Sequence, residues 1–99
     1  MSILTRNVRT RYGEIDAIAV DGTTLVFVEV KTLRRGRTRG PATPVQAVGP
    51  RKQLQVRRLA RAWLAENSPP RCSEIRFDVV GVTMGADGSA EIEHVRAAF

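Results

Sequence analysis

The most regular stretch of the chain is Leu25-Val26-Phe27-Val28-Glu29-Val30-Lys31, rich in β-branched and aromatic residues. A two-residue period puts Val26, Val28 and Val30 on one face and Leu25, Phe27, Glu29 and Lys31 on the other. Both faces open apolar, which predicts a central strand covered on both sides. Before it, residues 14 to 20 read as a strand that ends at Asp21-Gly22, a strong hairpin signal, and residues 3 to 11 read as another. Residues 33 to 49 hold Gly36, Gly40, Pro41, Pro44 and Gly49 among arginines, which predicts a mobile basic loop rather than a core element. Pro50 suits a first helical position, and Val56, Leu59, Ala60, Trp63 and Leu64 follow at helical spacing, so a helix is predicted over about 50–66. Strands are predicted at 75–84 and about 91–96, with a turn at 85–89 between them. Three strands in a meander, a crossover helix and one or two further strands make an α/β domain on a mixed sheet, because a strand-helix-strand passage joins a parallel pair.

Ninety-nine residues, 42% of them hydrophobic and 26% charged, suffice for one core and not for two, so residues 1–99 are expected to form a single domain. No stretch approaches the roughly 18 apolar residues of a membrane span, and the first residues lack the apolar segment of a secretory signal. No membrane association and a cytoplasmic location are the expectation. Cys72 is the sole cysteine, so an intramolecular disulfide and a cysteine-rich zinc site are excluded.

Charge changes the picture more. Sixteen Lys plus Arg against ten Asp plus Glu give a net charge of +6. From Thr32 to Ala65 no residue is acidic, and Arg34, Arg35, Arg37, Arg39, Arg51, Lys52, Arg57, Arg58 and Arg61 all fall there. One side of the molecule should be basic, with these residues available to a polyanion such as DNA. Arg57, Arg58 and Arg61 are expected to face away from the core.

The candidate chemistry lies in Asp16, Glu29 and Lys31. Glu29 and Lys31 are two apart in the most apolar strand, so they leave the same face about 6 to 7 Å from each other. If residues 21 to 24 form a four-residue loop, Asp16 lies opposite Glu29; a two-residue loop at 21 and 22 puts it opposite Phe27; an odd loop puts the carboxylates on opposite faces. Two carboxylates that share a face repel unless a proton or cation intervenes, and an oxygen-only pair suits Mg²⁺ or Mn²⁺. Such an ion would activate water and neutralise charge on a phosphodiester, with Lys31 orienting the water or stabilising the transition state. Glu14 is a candidate outer ligand. Gln53 extends the sheet-facing side of the helix to its first turn, where phosphate is favoured. The plainer alternative is a Glu29–Lys31 ion pair at a wet sheet edge. His94 is expected to be neither ligand nor base, Trp63 to be core, and Tyr12 to be the one aromatic free to stack on a base.

The segments Arg11-Tyr12-Gly13-Glu14-Ile15-Asp16, Leu25 to Thr32, Pro50-Arg51-Lys52-Gln53, Arg76-Phe77-Asp78-Val79-Val80, and Ile92 to Val95 with Ala98-Phe99 resemble an uncharacterised bacterial family of predicted endonucleases. That family is distantly similar to archaeal Holliday-junction resolvases, in the restriction-endonuclease-like PD-(D/E)XK group. The resemblance implies that Asp16 is the motif aspartate, Glu29 and Lys31 the E-x-K pair, Gln53 the helix glutamine, and the Val30 carbonyl a further metal ligand. The implied activity is Mg²⁺- or Mn²⁺-dependent hydrolysis of DNA, at branched or recombination and repair structures. Members of that family begin with a helix of about twenty residues; here the first strand follows Met1 directly, so the chain is expected to be truncated or late-starting, and to form a homodimer or otherwise self-associate through the face left open. The alternative function is a non-catalytic nucleic-acid-binding module on a nuclease scaffold.

Overall fold

A computed structural model describes residues 1–34, with the backbone alone of Arg34, and residues 43–99. Five strands, β1 (Ser2–Thr10), β2 (Gly13–Asp21), β3 (Thr24–Arg34), β4 (Glu74–Met84) and β5 (Ala90–Val95), form one sheet in chain order, and α1 (Pro50–Glu66) lies between β3 and β4 in sequence. β1, β2 and β3 run antiparallel in succession, β3 and β4 are parallel, and β4 and β5 antiparallel. The mixed α/β sheet expected from the apolar pattern is therefore present, with two further strands after the helix, and it is consistent with a restriction-endonuclease-like core. No described helix is long and apolar enough to cross a membrane.

The helix covers one face. Val56, Leu59, Ala60 and Trp63 pack against Ile18, Leu25, Phe27 and Phe77 in one buried cluster. Phe27 meets Trp63 edge-on at 6.0 Å between ring centroids and stacks on Phe77 at 5.7 Å. Each such side chain stabilises the fold by about 1.5–3 kcal/mol when fully buried, so this face carries most of the core. The other face was expected to be covered as well. Ala19, Val26 and Val28 are buried there in a second cluster to which α1 contributes nothing, but Val30 is 42% exposed. The alternation was read correctly, and the cover stops short of Val30 because the helix packs on the opposite face.

Two boundaries differ from the sequence reading. β3 continues to Arg34, because β4 pairs with it residue for residue from Thr24↔Glu74 to Arg34↔Met84. Residues 43 to 48, expected within a mobile loop, form a hydrogen-bonded turn in which Ala47 N–H donates to Thr43 O and Val48 N–H to Val45 O. Pro44 and Val48 of this turn are buried. The remainder of the expected loop, 35–42, lies outside the described residues.

Gly81 shows how close the turn comes. A Cβ there would collide with the Pro44 ring, so only a glycine admits the turn against the sheet. Gly81→Ala is expected to destabilise the fold by about 1–3 kcal/mol, the usual range for overpacking, read as a lower denaturant midpoint.

Candidate functional site

The β2–β3 hairpin closes through Gly22 and Thr23, flanked by the pair Asp21↔Thr24, with Gly22 at φ 61°. That left-handed conformation suits glycine, which has no Cβ to obstruct it. The register runs through Val20↔Leu25 to Ala17↔Val28. The paired register ends there; extended by one step it would set Asp16 opposite Glu29, as expected for a four-residue loop at 21 to 24, although the loop itself is the two residues Gly22 and Thr23. The side chains themselves depend on more than register. Ile15 and Ile18, three apart, both belong to the helix-side cluster, so strict alternation breaks across Asp16. In the neighbouring strand Asn7 has φ 50°. Such irregularities re-aim side chains locally. Asp16 Oδ2 accepts a hydrogen bond of 2.8 Å from the Val30 N–H, which ties this carboxylate to the residue between Glu29 and Lys31.

Glu29 is 6% exposed, and its Oε1 lies 3.3 Å from Lys31 Nζ and 3.5 Å from Lys52 Nζ. These are the only two lysines of the chain, beside fourteen arginines. A lysine is a compact point charge with three rotatable donors, whereas an arginine would engage the carboxylate with a rigid fork. Glu29 is thus neutralised by groups that can turn toward another anion without breaking a bidentate pair. Lys52 was expected only as a phosphate contact; the structure brings it to Glu29, a partnership 23 residues distant in sequence that no local pattern encodes.

The helix adds to the positive field. α1 has no acidic residue in its first turn and no side-chain cap at Gly49, while Arg51 and Lys52 sit at its positive end. Cations there are unfavourable for the helix, and Glu29 from β3 offsets that. Gln53 Nε2 donates to Val48 O at 3.0 Å, fastening the 43–48 turn to the helix. Glu14 is drawn toward Arg9, 3.9 Å away, in an exposed pair.

Among the basic candidates, Arg51, Arg57, Arg58 and Arg61 are exposed on α1. Arg57 lies over Phe77 at 4.7 Å and Arg58 over Tyr12 at 4.7 Å, so their planes rest on aromatic rings while their edges meet solvent. Arg35, Arg37 and Arg39, and the side chain of Arg34, lie outside the described residues.

A second charged cluster was not anticipated. Asp78 is fully buried on the helix-free side, where Arg76 Nε and Nη2 donate to its two oxygens at 2.8 and 2.9 Å, Ala97 N–H donates at 3.0 Å, and His94 Nε2 lies 2.7 Å away. Arg76 also reaches Asp21 at 3.0 Å. Four hydrogen bonds from three residues fill both oxygens of Asp78, so the cluster holds β4, β5 and the tail together and leaves no free acceptor for a ligand. The available signal was Arg76-x-Asp78 in an apolar strand, the same spacing as Glu29-x-Lys31.

Among the described residues no group of three or more His, Cys, Asp or Glu side chains is placed to hold a metal. Two carboxylates are nonetheless a fitting donor set for Mg²⁺, which is usually bound through one or two carboxylates together with water and substrate phosphate. Glu29, Asp16 and the Val30 carbonyl are the hard oxygens in question.

Comparison with known proteins adds the following. A family model described as "Uncharacterised protein family UPF0102" matches residues 1–82. A UPF0102 protein of Rhodococcus opacus is 52% identical over 99 residues, covering 100% of this chain and 80% of that protein. One from Symbiobacterium thermophilum is also 52% identical over 99 residues, covering 98% of this chain and 79% of its own. One from Frankia casuarinae is 48% identical over 97 residues, covering 98% and 79%.

Proposed function

We propose that this chain, which belongs to the uncharacterised protein family UPF0102, is a Mg²⁺- or Mn²⁺-dependent DNA endonuclease acting at branched or repair structures. The observation that carries the reading is Glu29: a nearly buried carboxylate in the central strand β3, next to the Val30 amide that donates to Asp16 and flanked by both lysines of the chain. Burying a carboxylate is costly unless paired, and a carboxylate kept so in the middle of the central strand beside a basic helix terminus is more than a surface ion pair requires.

In this reading Glu29 and Asp16 hold the divalent cation, with the Val30 carbonyl beside them. The bound cation supplies Lewis-acid neutralisation of charge on the phosphate. Lys31, 3.3 Å from Glu29, is placed to turn one of its N–H groups toward a nonbridging phosphate oxygen or the attacking water. Lys52 and the α1 N-terminus hold the phosphodiester, and Gln53 keeps the 43–48 turn against the helix while they do so. Self-association through the helix-free face would cover Val30.

One observation favours the non-catalytic alternative: Lys31 and Lys52 already balance Glu29, so a phosphate-binding site is complete without a metal. A labelled four-way junction and a matched linear duplex, each incubated with the protein with and without Mn²⁺, separate the two. Strand cleavage that requires the ion is the expected result. Salt-sensitive binding with intact strands in both Mg²⁺ and Mn²⁺ would leave a binding module.

A further inference from the structure

Tyr12 sits in the turn between β1 and β2 and is 39% exposed. The Arg58 guanidinium lies 4.7 Å from its ring centroid and the Arg11 guanidinium 4.9 Å. Around it opens a shallow cleft lined by Tyr12, Arg51, Leu54, Gln55 and Arg58. The four helix residues recur at three, four and seven positions, so they form a single stripe of α1. Leu54 in that stripe is 70% exposed, an apolar side chain that the fold itself does not use.

The composition of this cleft is specific. It offers an aromatic ring with two guanidinium groups 4.7 and 4.9 Å from its centroid, an apolar wall, an amide able to donate and accept, and cations at its rim. Unpaired nucleobases are recognised by that combination: the base stacks on an aromatic ring or an arginine plane, an amide reads its edge, and arginine takes the adjoining phosphate. A base inside a duplex cannot enter such a cleft, because its faces are covered by its neighbours. Protein partners are less well matched, since the apolar surface is one leucine and one ring amid four charged or amide groups.

Position completes the argument. Arg51 of the cleft is adjacent in sequence to Lys52, which contacts Glu29. Arg51 and Lys52 share the first turn of α1 with side chains directed about 100° apart, so the cleft and the Glu29–Lys52 pair lie on neighbouring faces of one helix end.

We infer that the Tyr12 cleft binds an unpaired nucleobase next to the phosphate held at Lys52 and the α1 N-terminus, so that the preferred substrate is DNA with single-stranded nucleotides at the point of attack. The inference rests on the DNA-cleaving reading for its location, but its binding chemistry does not require cleavage.

The test is therefore made without metal. Binding of a fluorescent single-stranded oligonucleotide to the full chain is measured in chelator by anisotropy, beside a matched duplex and an otherwise identical oligonucleotide with abasic sites. Tyr12→Ala and Tyr12→Phe are compared with the unaltered protein, their folding checked by thermal melting. Loss of one stacked base is worth about 5- to 150-fold in affinity. The expected result is a loss in that range for Tyr12→Ala and for the abasic strand, near-full retention by Tyr12→Phe, and an unchanged salt slope, because phosphate contacts persist. Equal affinity of Tyr12→Ala and the unaltered protein, equal binding of the abasic strand, or tighter binding of the duplex would each overturn it. Tyr12-dependent binding by a protein that cleaves nothing in Mn²⁺ would remove the nuclease reading and keep this site; metal-dependent cleavage with no effect of Tyr12→Ala would do the reverse.

Discussion

Glu29→Gln is expected to lower metal-dependent DNA cleavage by at least about 100-fold, the scale on which removal of one electrostatic or ligating group acts at such a site. The substitution preserves volume and removes one negative charge. Lys31 and Lys52, which converge on Glu29 Oε1, are then left beside a neutral amide, so the local field becomes more positive. DNA affinity in chelator should accordingly stay level or rise while cleavage falls. A binding module predicts the same rise in affinity with no cleavage at any stage. A Glu29→Gln protein that cleaves at the rate of the unaltered chain would remove Glu29 from the chemistry.

The second large effect concerns stability alone. Asp78→Ala should cost about 3 kcal/mol, because it leaves the half-buried Arg76 with only Asp21 as a carboxylate partner and strips partners from His94 and Ala97. Against a total stability of about 5–15 kcal/mol for a domain, that loss is readily seen in a urea midpoint. Asp78→Asn keeps one acceptor oxygen and should fall between the two. Acid has the same target. Burial alone would raise the Asp78 carboxyl, but hydrogen bonds from Arg76, Ala97 and His94 outweigh it and hold the group below its ordinary value of 3.8. Because the folded-state value is the lower one, the stabilisation is fully present above about pH 5 and is lost as pH falls through 3.8 and below. The urea midpoint should therefore drop on that acid limb, and Asp78→Asn should flatten it. An Asp78→Asn protein with the same acid limb as the unaltered chain would show that another carboxylate carries it. Asp21, also lowered by its hydrogen bond from Arg76, titrates in the same window but is far more open to solvent.

Comparison of the two charged pairs shows where sequence reading succeeds and where it stops. Glu29-x-Lys31 and Arg76-x-Asp78 have the same spacing and lie in equally apolar strands. Alternation establishes that each pair shares a face. It does not say which face, nor what the rest of the fold brings to it. Glu29 receives Lys52 from the helix and Asp16 by way of the Val30 amide, whereas Asp78 receives its neighbour Arg76, His94 from β5 and the backbone of Ala97. One cluster keeps lysines that can turn to a ligand; the other is saturated.

The same division runs through the molecule. Sequence by itself determined the three-strand meander, the helix and one or two strands after it, the mixed order of the sheet, the helix stripe that forms the core and the spacing of Glu29 and Lys31. Those follow from local periodicity, which each segment carries without help from any other. Tertiary structure alone decided the bond from the Val30 amide to Asp16, the arrival of Lys52 at Glu29, the seating of Pro44 on Gly81, the approach of Arg58 to Tyr12, and the burial of Asp78. Each of these joins residues distant in sequence, and their meeting depends on how strands and helix pack, which no single segment encodes.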